Sequence, residues 1–326
     1  MPTPAARPII KLGLQIPSFT YPGVAPDRLF ESIADIAVRA ERSGFDSIWV
    51  MDHFYQLPMV GPESLEMFDA YTLLGAIAAR TSSAKLATLV TGVTYRNPAH
   101  LAKIVTGLDV ISGGRAILGI GAAWNESEHI GYGFDFPSTL ERFERLEDAL
   151  RICRAMFTEE RPSFQGKHYR IERALNSPRP LTPGGPPILI GGGGERRTLN
   201  LVARYGDACN LFGDAATVRH KLAVLDRHCE TVGRDNAEIT KTRLGQLLIA
   251  PPGGLTDVER RYMELRGVDR AMMEAMTVRG EAAQITDAVG ELLDTGLDGL
   301  IFSLPFVSEP EEIERAGALL APLLSA

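Results

Sequence analysis

The chain has 326 residues, 45% hydrophobic and 23% charged, the balance of a globular protein long enough for one large α/β domain or two ordinary ones. A formal net charge of -7 argues against non-specific nucleic-acid binding, which needs a positive surface to release counterions. No apolar run reaches the length of a membrane span, and Met1, Pro2, Thr3, Pro4, Arg7 and Pro8 lack a signal peptide's apolar stretch, so a cytoplasmic location without membrane partners is expected.

Strand and helix patterns alternate from the start. Residues 10–16 read as a strand and 27–42 as a helix with Phe30, Ile33, Ala34 and Ala37 on one face. A strand at 47–51, a helix near 69–80 and a strand at 86–91 follow. Asn97 then reads as an N-cap and Pro98 as the first residue of a helix whose apolar face is Leu101, Ile104, Val105 and Leu108. Next come strand 116–121 with helix 140–157, strand 187–190 with helix 197–205, and strand 207–211 with helix 218–232. The long strand 240–249 precedes strand 299–303 and a last helix near 311–320. Eight such units close most naturally into a (β/α)8 TIM barrel, with a doubly wound open sheet as the rival. Gly44, Gly206 and Gly296 are each soon followed by an acidic residue, Asp46, Asp207 or Asp298, and then by an apolar strand. That echo predicts equivalent left-handed helix exits along one rim.

One domain over 1–326 is expected, with insertions at about 122–138, 158–186 and 251–280, since long connections usually act as lids or binding loops. The second carries a hairpin-like piece at 164–169 and the basic residues Arg161, Lys167, His168, Arg170, Arg173 and Arg179. A solvated face or the anionic tail of a cofactor would each explain these charges. The third places Met263, Met272, Met273 and Met276 in a helical stretch, as an adaptable cover or as ordinary helix packing. Cys153, Cys209 and Cys229 are odd in number and far apart, so buried thiols are expected rather than disulfides or a metal cage.

Four consecutive glycines, Gly191, Gly192, Gly193 and Gly194, follow the apolar run Pro187, Ile188, Leu189 and Ile190 and lead into a helical pattern near Glu195. Free amides at a helix start attract anions, and residues without Cβ let a phosphate approach. A tight strand-to-helix turn without a ligand is the plainer reading, but four glycines are more than a turn needs, so a phosphorylated ligand is expected, with Arg196 and Arg197 beside it. Barrel function sits at the carboxyl ends of strands, which is where Asp52 and His53 fall, directly after 47–51. His53 can exchange a proton near neutral pH, with Asp52 or a backbone group orienting it, or can merely hydrogen-bond within the rim; its position favours the first. Gly119, Gly121, Ala122 and Ala123 are small enough for a flat ring to lie against a strand end, with Asn125 and Glu126 as polar contacts. As a dinucleotide fingerprint this stretch lacks its third glycine, and Gly131, Gly133 and Pro137 argue against a helix starting at once. Those glycines also argue against Glu126 and His129 sharing a helical face as metal ligands. The strand end Leu89, Val90, Thr91 and Gly92 reads either as ring support or as plain core. There is no G-x-S-x-G elbow, P-loop, H-E-x-x-H or paired-cysteine motif.

Residues 49–54 (Trp-Val-Met-Asp-His-Phe), 94–99 (Thr-Tyr-Arg-Asn-Pro-Ala), 119–126 (Gly-Ile-Gly-Ala-Ala-Trp-Asn-Glu) and 190–195 (Ile-Gly-Gly-Gly-Gly-Glu) together resemble the bacterial-luciferase-like oxidoreductases. The match runs over nearly the whole chain and is closest to the actinobacterial branch that uses the deazaflavin coenzyme F420. The resemblance implies a barrel with a flavin-type ring across the strand ends and His53 near the reactive ring carbon. It also implies a non-prolyl cis peptide at about Leu89 and Val90, and a cofactor phosphate on Gly192, Gly193, Gly194 and neighbouring backbone. On this basis Leu89, Val90, Thr91, Gly121, Asn125, Gly191, Gly192, Gly193, Gly194, Glu195 and Arg196 are the expected cofactor residues, with His53 and Asp52 catalytic. The expected activity is F420-dependent hydride exchange with a small organic substrate by a homodimer. An FMN-dependent monooxygenase and a non-catalytic flavin-binding barrel are the alternatives. Two departures separate the chain from the sugar-phosphate and alcohol dehydrogenases of the superfamily: Leu57 replaces a tryptophan, and the Ala122-Ala123-Trp124 stretch replaces an acidic residue.

Overall fold

Parallel strands are buried on both faces, so they need helices outside and a filled interior, and this chain supplies both. The computed structural model describes residues 8–325; Met1, Pro2, Thr3, Pro4 and Arg7 of the N-terminal reading lie outside the described residues. The first half runs β1 (Leu12–Ile16), α1 (Leu29–Arg42), β2 (Ser47–Val50), α2 (Ala70–Ala78), β3 (Lys85–Thr88), β4 (Thr91–Gly92), α3 (Pro98–Ser112), β5 (Leu118–Gly121), α4 (Glu126–Tyr132) and α5 (Thr139–Thr158). After the hairpin β6 (Phe164–Gln165) and β7 (Arg170–Ile171) come β8 (Ile188–Gly191), α6 (Thr198–Tyr205), β9 (Ala208–Leu211) and α7 (Ala215–Val232). The last part is β10 (Thr240–Ile249), α8 (Leu255–Arg266), α9 (Arg270–Met276), β11 (Thr277–Gly280), α10 (Ala282–Leu293), β12 (Gly299–Ser303) and α11 (Pro310–Ser325).

The main sheet is parallel, in the order β3-β2-β1-β12-β10-β9-β8-β5-β4. It closes on itself. Ile117 N donates to Leu86 O at 3.0 Å and Leu86 N to Arg115 O at 2.9 Å, bridging β3 to the residues just before β5. β3 and β4 are thus two halves of the third stave, interrupted at the non-prolyl cis peptide Leu89–Val90. With those halves counted as one, eight staves form the expected barrel. Ile10, Trp49, Ala87, Ile117, Leu189, Ala208 and Ile301 fill its interior, while Leu14, Ile48, Ile190 and Phe302 face the helix layer.

The repeated Gly/Asp joints are equivalent in a way that the glycines alone do not explain. Asp46 Oδ2 accepts from Lys11 N at 2.9 Å, Asp207 Oδ2 from Ile188 N at 2.7 Å, and Asp298 Oδ2 from Lys241 N at 2.8 Å. Each carboxylate satisfies an amide at the start of the neighbouring stave, where the ladder has not yet begun. Gly44 and Gly296 are left-handed, with φ of 95° and 99°. Gly206 corrects the expectation: its φ is -82° and its ψ 140°, so the chain leaves α6 in an extended conformation and no left-handed residue is used at this joint.

Other boundaries also differ from the sequence reading. The glycines after Asn125 do not prevent a helix; α4 forms at once, and Gly133, at φ 71°, merely ends it. The third insertion contributes β11, which pairs in parallel with the far half of β10 (Gln246 opposite Thr277), and α10 was not anticipated at all. Leu248, Ala250, Val258, Tyr262 and Met273 form a small core of their own beneath this insertion, so Met273 is packing, whereas Met276 reaches the barrel mouth. The three cysteines are buried and free, and burial pushes the thiols of Cys153 and Cys209 up to about 12. No helix among the described residues is long and apolar enough to cross a membrane.

Gly119 on β5 shows how tightly the third stave is held. A Cβ there would stand 1.9 Å from the Thr88 carbonyl oxygen, a backbone atom that cannot rotate away. Gly119→Ala should therefore lower stability in urea denaturation by about 1–3 kcal/mol; unchanged stability would contradict the packing of β3 on β5.

Candidate active site

A cavity of about 760 Å³ opens at the carboxyl ends of the staves. Asp52, His53, Leu89, Val90, Thr91, Gly121 and all four glycines from Gly191 to Gly194 line it, gathered from the ends of β2, β3, β4, β5 and β8. Asn125, Glu195 and Arg196 do not. The Asn125 carbonyl accepts from His129 Nδ1 at 2.6 Å, the Glu195 carboxylate is held by Lys221 at 2.6 Å and His220 at 3.1 Å, and Arg196 is exposed.

His53 is oriented by Glu128, not by Asp52. Its Nδ1 lies 2.8 Å from Glu128 Oε2. The same carboxylate accepts from the amides of Phe54 and Tyr55 and from the Tyr95 hydroxyl at 2.9 Å. Glu128 is 0% exposed. Burial pushes its pKa up, but His53, the Tyr55 amide and the Tyr95 hydroxyl outweigh that and hold it below the ordinary glutamate value. An ionised Glu128 places the proton on Nδ1 and leaves Nε2 free for the cavity. The His53 ring also meets Trp124 edge to face, with centroids 5.7 Å apart. Position alone could not have exposed Glu128; it lies on the helix α4 whose existence the glycines seemed to deny.

Asp52 has a different partner. Arg96 grips it with both terminal nitrogens, at 2.6 and 3.0 Å, and reaches Asp69, the N-cap of α2, at 3.0 Å. Burial raises the Asp52 pKa, and the Arg96 guanidinium opposes that shift. Arg96 lies over the Tyr71 ring at 5.0 Å; Tyr71 Oη meets Thr91 Oγ1 at 2.6 Å, and Thr91 meets Thr88 Oγ1 at 2.8 Å. This hydrogen-bonded floor runs beneath the Leu89–Val90 bond, and it uses Arg96 from the motif at 94–99, to which the sequence reading gave no chemical role.

Val90 presents its side chain between two glycines. A Cβ at Gly121 would come within 2.9 Å of it and one at Gly191 within 2.7 Å, so both positions require hydrogen for the wall to stay flat. Beyond them Gly192, at φ 116°, donates to Asn210 O at 3.2 Å, while the amides of Gly193 and Gly194 donate to no backbone carbonyl among the described residues. α6 starts at Thr198, not near Glu195, so the free amides belong to a loop that precedes the helix by a turn.

The cavity is cationic although the chain is not. Asp52, neutralised by Arg96, is its one lining carboxylate among the described residues, against Arg142, Arg243 and Arg266. Each of those three arginines keeps one buried nitrogen without a partner among the described residues. Arg266 also ties α8 to the loop after β2 by donating to the Val60 carbonyl. The basic residues of the second insertion are elsewhere: none lines the cavity, Lys167 and His168 pair with Glu144, and Arg179 donates to the carbonyls of Met156, Phe157 and Glu159. No metal-ligand cluster exists among the described residues, and both His129 nitrogens are engaged, one with Thr94 Oγ1 at 2.7 Å.

The family profile described as luciferase-like monooxygenase matches residues 11–252. The chain belongs to the luciferase-like monooxygenase family. Among proteins of this kind, the F420-dependent glucose-6-phosphate dehydrogenase of Kineococcus radiotolerans is 29% identical over 97% of both chains. The F420-dependent tetrahydromethanopterin reductase of Methanopyrus kandleri superposes with a TM-score of 0.79 at 18% identity, covering 98% of this chain and 100% of that one. A Streptomyces bottropensis monooxygenase gives 0.78 at 21% identity, covering 97% and 99%. These two structures share the luciferase-like barrel.

The Glu128 charge can be read by titration. Its lowered pKa means that its stabilising contribution is present above the ordinary value near 4.5 and is lost as pH falls through the lowered one. Glu128→Gln should be less stable than the wild type by about 1–3 kcal/mol at neutral pH. That gap should narrow in acid; urea denaturation showing a gap independent of pH would contradict an ionised Glu128.

Proposed function

We propose that this luciferase-like barrel is an F420-dependent oxidoreductase exchanging a hydride with a small organic substrate. The observation that carries the reading is His53, fixed through Nδ1 by a buried carboxylate and free at Nε2, beside a flat wall with open amides at its far end. F420, when bound, supplies a two-electron hydride carrier. The residues fit such a group. Val90, flanked by Gly121 and Gly191, offers a planar bed with Leu89 and Thr91, and the Gly193 and Gly194 amides suit a phosphate. His53 would hold or move a proton at Nε2, Glu128 would keep its tautomer, and the Asp52–Arg96 pair would stiffen the floor. The F420-dependent names of the sequence relatives support the same coenzyme.

The substrate stays at the level of a small molecule. Leu57 and the Ala122-Ala123-Trp124 stretch depart from the tryptophan and the acidic residue that the resemblance leads one to expect in the superfamily's sugar-phosphate dehydrogenases, which argues against transferring glucose 6-phosphate. A cytoplasmic homodimer is part of this reading, checked by sedimentation of the purified protein. The family's monooxygenase description supports a second reading, an FMN-dependent monooxygenase.

Titration decides between them: a colourless protein that binds F420 supports the first, and a protein that purifies yellow with FMN and does not bind F420 overturns it. His53→Ala should lower turnover about 10²–10⁴-fold while F420 affinity changes little. Unchanged turnover would remove His53 from the chemistry.

A further inference from the structure

One cation on β10 forms no ion pair among the described residues, although the Asp214 charge acts on it from beyond ion-pair distance. Arg243 is 8% exposed, and its Nε donates to the Gly213 carbonyl at 2.8 Å. Its Nη1 is buried with no hydrogen-bond partner among the described residues. No described carboxylate forms an ion pair with it: Asp214, next to Gly213, caps α7 through the Thr217 amide at 2.8 Å. Lys241, two residues back on the same face, is by contrast paired with Asp298 at 3.4 Å. Gly245, two residues on, leaves the guanidinium its place, since a Cβ there would lie 2.1 Å from Nη1. Burial pulls the Arg243 pKa down, yet an arginine keeps its charge at any physiological pH.

A buried charge without a partner is strongly destabilising, so a position built to keep one is built for something that arrives later. The register shows where. Gly191 pairs with Asn210 on β9, and Arg243 pairs with Leu211, the next residue of that strand. The arginine is therefore two strands from the glycine run and one residue nearer the mouth, roughly 10 Å between backbones at ordinary strand spacing. Arg243 lines the same cavity as Gly193, Gly194 and Phe212.

We infer that Arg243 is the anion anchor of this cavity: its guanidinium, which forms no ion pair among the described residues, receives an oxyanion, phosphate or carboxylate, of the bound ligand. That oxyanion belongs either to the cofactor or to the substrate. The cofactor source rests on the F420 reading above; the anchor itself does not. A guanidinium is suited to the task because it remains charged when desolvated and presents directed donors to oxygen pairs.

The test compares the full-length wild type, Arg243→Gln and Arg243→Lys, using inorganic phosphate and F420 as probes in thermal unfolding and F420 titration. Without ligand, Arg243→Gln should melt no lower than the wild type, because it loses an unpaired charge. Phosphate should raise the wild-type Tm, and at least half of that rise should disappear in Arg243→Gln and partly return in Arg243→Lys. A rise of tenfold or more in the F420 Kd of Arg243→Gln assigns the oxyanion to the cofactor. An unchanged F420 Kd, with phosphate still protecting F420-saturated wild type but not F420-saturated Arg243→Gln, assigns it to the substrate. If the wild type binds no F420 while its phosphate response still depends on Arg243, the cofactor reading falls and the anchor stands. Equal phosphate responses and equal F420 affinities in wild type and Arg243→Gln overturn the anchor. Should the glutamine variant fail to fold, the same two comparisons are read on Arg243→Lys, where unchanged values overturn it.

Discussion

One buried carboxylate organises the mouth of the barrel. Glu128 is removed from water completely, and an ion in that position is tolerable only when donors replace its hydration. His53 and the amides of Phe54 and Tyr55 come from the loop after β2, and the Tyr95 hydroxyl from the loop after β4, while Glu128 itself rides on α4 after β5. Three separate strand ends are thereby fixed to a single point. Phe54 stacks on Tyr132 with centroids 4.3 Å apart and lies against Tyr95 at 4.7 Å, so aromatic packing screens the ionic knot from solvent. The imidazole inherits its orientation from that knot, and its proton assignment follows from the charge.

The cavity and the chain carry opposite electrostatic signs. A net charge of -7 is distributed over the whole molecule, yet the carboxylate within the cavity is gripped by Arg96 and the arginines around it keep nitrogens in reserve. An acidic exterior with a cationic bowl repels polyanions at large while drawing a small anion to one place. The free amides of Gly193 and Gly194 extend the same preference along the wall without adding formal charge.

Much of this was legible in the sequence because it depends on local pattern. Alternating strand and helix signals gave the eight staves, Asn97 and Pro98 marked the start of α3, and the recurring aspartates located one rim. The glycine run announced open amides before any fold was in view. What escaped depended on contacts between distant segments. Glu128 and His53 are 75 residues apart, and nothing in either neighbourhood names the other. Asp52 next to His53 invited a pairing that direction forbids: successive residues leaving a strand point apart, and Asp52 turns to Arg96. The isolated propensity of Gly131 likewise lost to tertiary packing, since α4 is held by Glu128 and by His129 against Thr94, while Gly133 follows its own preference as the left-handed cap. Arg243 carried no motif, and its significance comes from partners it does not have.

The bond from Arg266 to the Val60 carbonyl spans two rims of the bowl that are remote in sequence, 206 residues apart. It acts as a crossbar fastened to a part of the molecule with its own small core. Trp124 and Phe212, which also line the cavity, stand 57% and 54% exposed. Swinging α8 outward without breaking the Arg266–Val60 bond would drag the loop after β2, and with it the segment that carries His53.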